Sequence, residues 1–184
     1  MKIRNIIREI SFHNLTKCND NEISKILEIR NEKKVRANMF TKHIITKNEH
    51  NLWFDKLKVS KKEIFFGIKY KNEIIGGLGL KDIIKFDCAY WSFYLSENKS
   101  FIGLGASVEF KALDWFFTEF NFSKLYCFVL KKNVAVIKLH RKFGFIDERF
   151  KKTSKNEVKN IDFVHLELSI DRWKKVKENL KRFN

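Results

Sequence analysis

Hydrophobic positions along the chain change period several times, and each change marks an element. Over residues 22–31 (EISKILEIRN) the apolar side chains Ile23, Ile26 and Leu27 recur at helical spacing. Thr46 and Glu49 signal a second helix, because in the pattern S/T-x-x-E each side chain serves the other's backbone amide; Leu52, Trp53 and Leu57 follow it. The runs 63–70 (EIFFGIKY) and 73–80 (EIIGGLGL) are separated only by Lys71-Asn72 and read as a β-hairpin. Residues 88–95 (CAYWSFYL), aromatic and uncharged, form a third strand.

A longer amphipathic helix starts near Gly105, with Leu113, Phe116, Phe117 and Phe120 on one stripe and the polar Glu109 and Lys111 elsewhere. Residues 125–130 (LYCFVL) are apolar on both alternating faces, the pattern of a central strand covered on both sides. Asn133 is placed to cap a helix over 134–143, which Gly144 stops in a left-handed conformation. Strands in FIDERF (145–150) and IDFVHLELSI (161–170) and a basic helix over 171–184 complete the order. The result is a mixed α/β chain. With no repeat and no Gly/Ser/Pro linker, one domain is expected over 1–184: acceptor-side helices at about 20–58, a core at about 63–168, and the terminal helix.

Composition narrows the function classes. The 44% apolar content, with 19 Phe, supplies a core and excludes a disordered chain. No run of 18 apolar residues and no secretory leader is present, so a cytoplasmic protein without membrane association is expected. Cys18, Cys88 and Cys127 form no CxxC pair, which points away from a disulfide framework or a metal. An excess of 38 Lys+Arg over 22 Asp+Glu, +16 in all, raises nucleic acid or anionic small molecules as partners. No Arg-rich block or Gly-aromatic RNA signature accompanies it; a basic nucleic-acid-binding domain is the non-enzymatic alternative.

Chemistry concentrates in three stretches. The first runs from Leu95 through Ile102, Gly103, Leu104, Gly105 and Ala106, a strand end followed by Gly-x-Gly and a helix start. Glycines let the backbone approach a phosphate, and free amides of a helix N-terminus attract it; an ordinary strand-to-helix turn reads the same way. The second, N133-V-A-V-I-K-L-H140-R-K-F-G144-F145, resembles the GNAT N-acetyltransferase signature N-x-x-A-I-x-L-Y/H-x-K-x-G-F. It follows the Gly-x-Gly loop in the order of that family, whose Q/R-x-x-G-x-G/A loop is matched by Ser100 to Ala106 except at Ser100 itself.

The resemblance implies a GNAT fold, a central mixed, largely antiparallel sheet flanked by helices, and acetyl-CoA as co-substrate with no metal. Backbone amides from Ile102 to Ala106 would hold the pyrophosphate, Leu95 would pair with the pantetheine arm, and Asn133 would contact CoA. His140 occupies the position of the usual tyrosine that protonates the departing thiolate, either as imidazolium or as a neutral N–H donor. No acidic residue lies in 88–95, so the base that deprotonates the amine stays open between water, His50 and Tyr94.

The third stretch, R30-N31-x3-V35-R36-x2-M39-F40-T41-x-H43 with E49-H50-x2-W53-F54, resembles the acetyltransferases of pseudaminic acid biosynthesis. Those enzymes acetylate the 4-amino group of a UDP-linked 4-amino-4,6-dideoxy sugar. On that likeness Arg30, Asn31, Met39, Phe40 and His50 are expected at a UDP-amino sugar, with Arg30 and Arg36 pairing the diphosphate and Met39, Phe40 and Trp53 walling the deoxysugar. A core role for Met39 and Trp53, and an ion pair for Arg30, are the competing readings. Other acceptors carried forward are a protein N-terminus and a polyamine; oligomeric state is not readable.

Overall fold

Local signals set most of the elements. In the computed structural model, which describes residues 3–148 and 162–180, α1 (Ile3–Glu9) leads into β1 (Ile10–Asn14) and a 3-10 turn at Leu15–Lys17. Reciprocal caps start the next long helices: Asn19 with Glu22 for α2 (Asp20–Arg30), and Thr46 with Glu49 for α4 (Lys47–Val59). Between them lies the short α3 (Lys33–Ala37). β2 (Ile64–Tyr70) and β3 (Glu73–Ile84) form the hairpin, and Lys71 and Asn72 both adopt positive φ, as a two-residue turn matched to strand twist requires.

β4 (Cys88–Leu95), α5 (Leu104–Glu119), β5 (Lys124–Leu130), α6 (Val134–Lys142), β6 (Ile146–Asp147), β7 (Phe163–Ser169) and α7 (Ile170–Asn179) follow. The strands form one sheet in the order β1-β2-β3-β4-β5-β7-β6. Every neighbouring pair is antiparallel except β4 and β5. Helices α1, α5, α6 and α7 bury the larger cluster against Leu78, Leu80, Trp91 and Leu125. The 3-10 turn, α2, α3 and α4 bury a smaller one around Ile74, with Phe65 and Tyr94 packed on it. The mixed sheet flanked by helices is the architecture expected from the sequence.

Several local expectations change. Glu109 and Lys111 do not face solvent: Glu109 is fully buried, and Lys111 donates to the carbonyls of Ile7, at 3.0 Å, and Ile10. Strand 125–130 is not covered along both faces, because Phe128 is 37% exposed. Asn133 stands at the N-cap of α6 without a side-chain cap bond. FIDERF contributes only Ile146–Asp147, its end lying outside the described residues; the terminal helix closes at Asn179, and 181–184 lie outside as well.

Candidate active site

The parallel pair at the centre of the sheet is short. β4 and β5 are in register only at Cys88–Lys124, Ala89–Leu125 and Tyr90–Tyr126. Past these three pairs the strands part, leaving the β5-facing backbone of Trp91 to Leu95 without a strand partner among the described residues. A cavity of about 630 Å³ opens there and crosses the sheet. Gly105, Asn133, Val136, Leu139 and His140 line it on the α5/α6 side, and Val35, Asn38, Met39, Phe40 and Tyr94 on the other. Tyr90 and Phe128, stacked at 5.1 Å, lie beside the gap.

The loop after β4 turns on Gly103, whose φ of +93° disfavours a side chain, and Gly103 then caps α5. Leu104 is fully buried and fixes the helix end, whereas Ile102 is 100% exposed. The Leu104 amide bonds back to the Phe101 carbonyl at 3.1 Å, so it is already engaged. The amides of Gly105 and Ala106, in the first helical turn, have no intrahelical acceptor by geometry. A Cβ at Gly105 would meet nothing within 4 Å, so the space above this turn is open to a ligand. Leu95, at the end of β4, lines the cavity with an unpaired strand edge that an extended chain can join. Asn133, relieved of capping, lines it too.

His140 reaches the cavity from α6 but is only 4% exposed. Its Nδ1 lies 2.7 Å from Oε1 of Glu109, one helical turn beyond Gly105 on α5. Burial alone pushes the imidazole down; the Glu109 carboxylate overrides it, with the Cys127 thiol adding to the effect, and lifts His140 above its ordinary range. Burial likewise pushes the Glu109 carboxyl up, against the pull of His140. Both directions agree that this pair keeps a proton through neutral pH. Glu109 is a residue against the site that sequence reading missed. The only signal for it was its i+4 spacing from Gly105 on a helix that is apolar almost all round.

The acceptor-side residues divide. Arg30 donates through Nη2 to the Thr41 carbonyl at 3.1 Å, and its buried Nη1 has no hydrogen-bond partner. Asn31 grips Ile45 by both its amide and carbonyl groups at 2.8 Å, and Arg36 donates to the carbonyls of Asn31 and Lys42. These three side chains hold the 31–45 segment, and none of them lines the cavity. Met39 and Phe40, carried by that segment, do. His50 is buried against Trp53, ring centres 5.2 Å apart, and does not line the cavity either. Burial pushes the Tyr94 phenol well above its ordinary range, which suits a donor and not a base.

The charged lining that the sequence did not single out is Lys34, Lys81 and Glu97, with Lys34 and Glu97 paired at 3.3 Å. Glu97 is the only carboxylate among the described lining residues. Glu32 ties the two halves of the site by accepting from the Ser96 hydroxyl and the Glu97 amide, each at 2.6 Å. Among the described residues no group of three or more His, Cys, Asp or Glu is arranged to hold a metal, and no helix is long and apolar enough to cross a membrane.

Residues 15–164 match the acetyltransferase (GNAT) domain family. Among curated proteins none matches in sequence. Similar solved structures include the Campylobacter jejuni N-acetyltransferase PseH, alone and in complex with acetyl coenzyme A. Each is 20% identical at a TM-score of 0.66, covering 88% of this chain and 99% of that one. A spermidine N-acetyltransferase from Vibrio cholerae, in complex with CoA and spermine, is 17% identical at a TM-score of 0.76, covering 90% and 98%.

Proposed function

The chain belongs to the GNAT family and is an acetyl-CoA-dependent N-acetyltransferase; from that premise we propose that its acceptor is the 4-amino group of a UDP-linked 4-amino-4,6-dideoxy sugar, as in pseudaminic acid biosynthesis. The observation that carries this reading is the lining of the cavity opposite α5 and α6. Met39 and Phe40 give it an apolar wall suited to a deoxysugar methyl, and Lys34 and Lys81, which rest in exposed ion pairs with Glu97 and Glu63 at 3.3 Å each, are the lysines that a diphosphate entering the cavity would draw from those carboxylates. The acceptor motif at 30–54 supports the same reading. Arg30, Asn31 and Arg36 act by fixing the segment that bears Met39 and Phe40. Charge recognition moves to Lys34 and Lys81.

A polyamine acceptor, as in the spermidine enzyme, calls for clustered carboxylates. Here Glu97 stands alone in the described lining and is already paired with Lys34.

Acetyl-CoA supplies an activated acyl group. The amides of Gly105 and Ala106 hold its pyrophosphate, the edge of β4 to Leu95 aligns its pantetheine arm, and Asn133 contacts it from the start of α6. The gap between β4 and β5 brings the thioester to His140 on one side and the amine from the other. His140 protonates the departing sulfur. Mass detection of product from acetyl-CoA with the UDP-linked amino sugar, spermidine and a peptide N-terminus tests the acceptor. Preference for spermidine or peptide would remove the sugar while leaving the acetyltransferase intact.

A further inference from the structure

We propose that Glu109 is the positioning residue for His140: its buried carboxylate fixes Nδ1, keeps the ring an imidazolium, and commits Nε2–H to the sulfur of the thioester. The inference rests on His140 acting as the acid, as above, and concerns what makes it one.

Glu109 is fully buried near the middle of α5, and its Oε1 lies 2.7 Å from His140 Nδ1. Its second oxygen, Oε2, is buried without a hydrogen-bond partner. Among the described residues, no other charged group acts on the ring. From β5 comes the Cys127 thiol, which hydrogen-bonds the ring and whose place the thioester sulfur would take, from β4 the rings of Trp91 at 5.4 Å and Phe93 at 6.5 Å, and beyond α6 the ring of Phe145 at 5.1 Å. A carboxylate held in such surroundings is costly, and an apolar side chain would fill the site at no such cost. Its presence, matched to a histidine on a cavity wall, is the pattern of a tuned acid. Gly105 and Glu109 are also one helical turn apart, so the helix that offers its first amides to the pyrophosphate holds the acid in register with them.

The amine nitrogen bonds the carbonyl carbon, the C–S bond breaks, and its electron pair leaves on sulfur. Nε2 passes its proton to that sulfur, giving the thiol and a neutral ring still bonded to Glu109. The surplus proton of the amine leaves to solvent, and water recharges the ring as products depart.

The protonated ring is the active form, so activity persists below its titration and falls as pH rises through it, a limb that Glu109 holds above the ordinary histidine range. In Glu109→Gln, burial remains and the opposing carboxylate is gone, so the falling limb moves toward or below neutrality.

The test is nitrogen NMR of the full chain with labelled histidine, free of ligands. His140 should stay charged past pH 8, and in Glu109→Gln its titration should drop by at least about two pH units. Turnover with acetyl-CoA and the UDP-linked amino sugar should fall about ten- to a hundredfold in Glu109→Gln, with the acetyl-CoA KM within about twofold, and recover in part in Glu109→Asp. A wild-type ring that is neutral at pH 7 overturns the proposal. So does a Glu109→Gln protein that melts lower but titrates and turns over unchanged. If Glu109→Gln does not fold, the wild-type titration decides alone. The NMR needs no acceptor, so a wrong sugar silences turnover and leaves this result standing.

Discussion

Positions 109 and 111 of α5 are both charged, and both turn inward for reasons that lie elsewhere in the chain. The partner of Glu109 is His140, and those of Lys111 are the carbonyls of Ile7 and Ile10. Residue type is written in the sequence; a partner thirty or a hundred positions away is not, which is why a helical-stripe argument leaves these two off the apolar face. His140 was legible because its neighbours from Asn133 to Phe145 are contiguous. His140→Ala is expected to lower kcat about ten- to a thousandfold with little change in acetyl-CoA affinity, a split read by steady-state kinetics with calorimetry. Gly105 allows a test in which stability and binding move apart. Its φ is not positive and a Cβ there has open space. Gly105→Ala should therefore raise stability by up to about 1 kcal/mol through reduced unfolded-state freedom, yet weaken acetyl-CoA binding by crowding the phosphate. Tighter or unchanged binding would remove the loop from the cofactor side.

Elements were legible where their signals are local. The cap at Thr46, the Lys71-Asn72 turn and the stop at Gly144 each need only a few adjacent residues. β1 escaped notice because ISFHN has five residues of mixed polarity, and its identity as a strand comes from pairing with β2, some 56 positions on. The early parting of β4 and β5, which makes the cavity, is likewise a property of the pair. The capping box of α4 supplies an element-scale prediction. Backbone and side-chain hydrogen bonds from Thr46, and one from His43, hold Glu49 down to about 2. Its contribution is thus present above the ordinary carboxylate range and lost as pH falls from about 4.5 toward 2. Thr46→Ala should cost about 1 kcal/mol in denaturant melts at pH 7, and less as the pH is lowered through that window. Asn31→Ala, which deletes both bonds to Ile45, should cost about 1–2 kcal/mol and, if the 31–45 segment serves the acceptor as proposed, raise the acceptor KM more than that of acetyl-CoA. Equal rises in both KM values would show that this segment does not serve the acceptor.

For the molecule as a whole, the two sides of the cavity differ in how they are encoded. The α5/α6 side follows from two contiguous motifs; the acceptor side is assembled from α3, the segment after it, β3 and β4, so Lys34, Lys81 and Glu97 emerged only in three dimensions. A charge of +16 favours capture of anions at long range, an attraction that salt screens over about 10 Å at 0.1 M. The KM values for both acetyl-CoA and a nucleotide sugar should therefore rise between low and physiological ionic strength. The central claim is that this acetyltransferase acts on a nucleotide-linked amino sugar. Its most direct test is kcat/KM with acetyl-CoA for three acceptors under one condition: the UDP-linked 4-amino-4,6-dideoxy sugar, the same sugar without UDP, and spermidine. The account predicts the highest value for the UDP-linked sugar and a large loss on removing UDP, since the diphosphate positions the amine. Equal values for the free and UDP-linked sugars, or a higher one for spermidine, would contradict it.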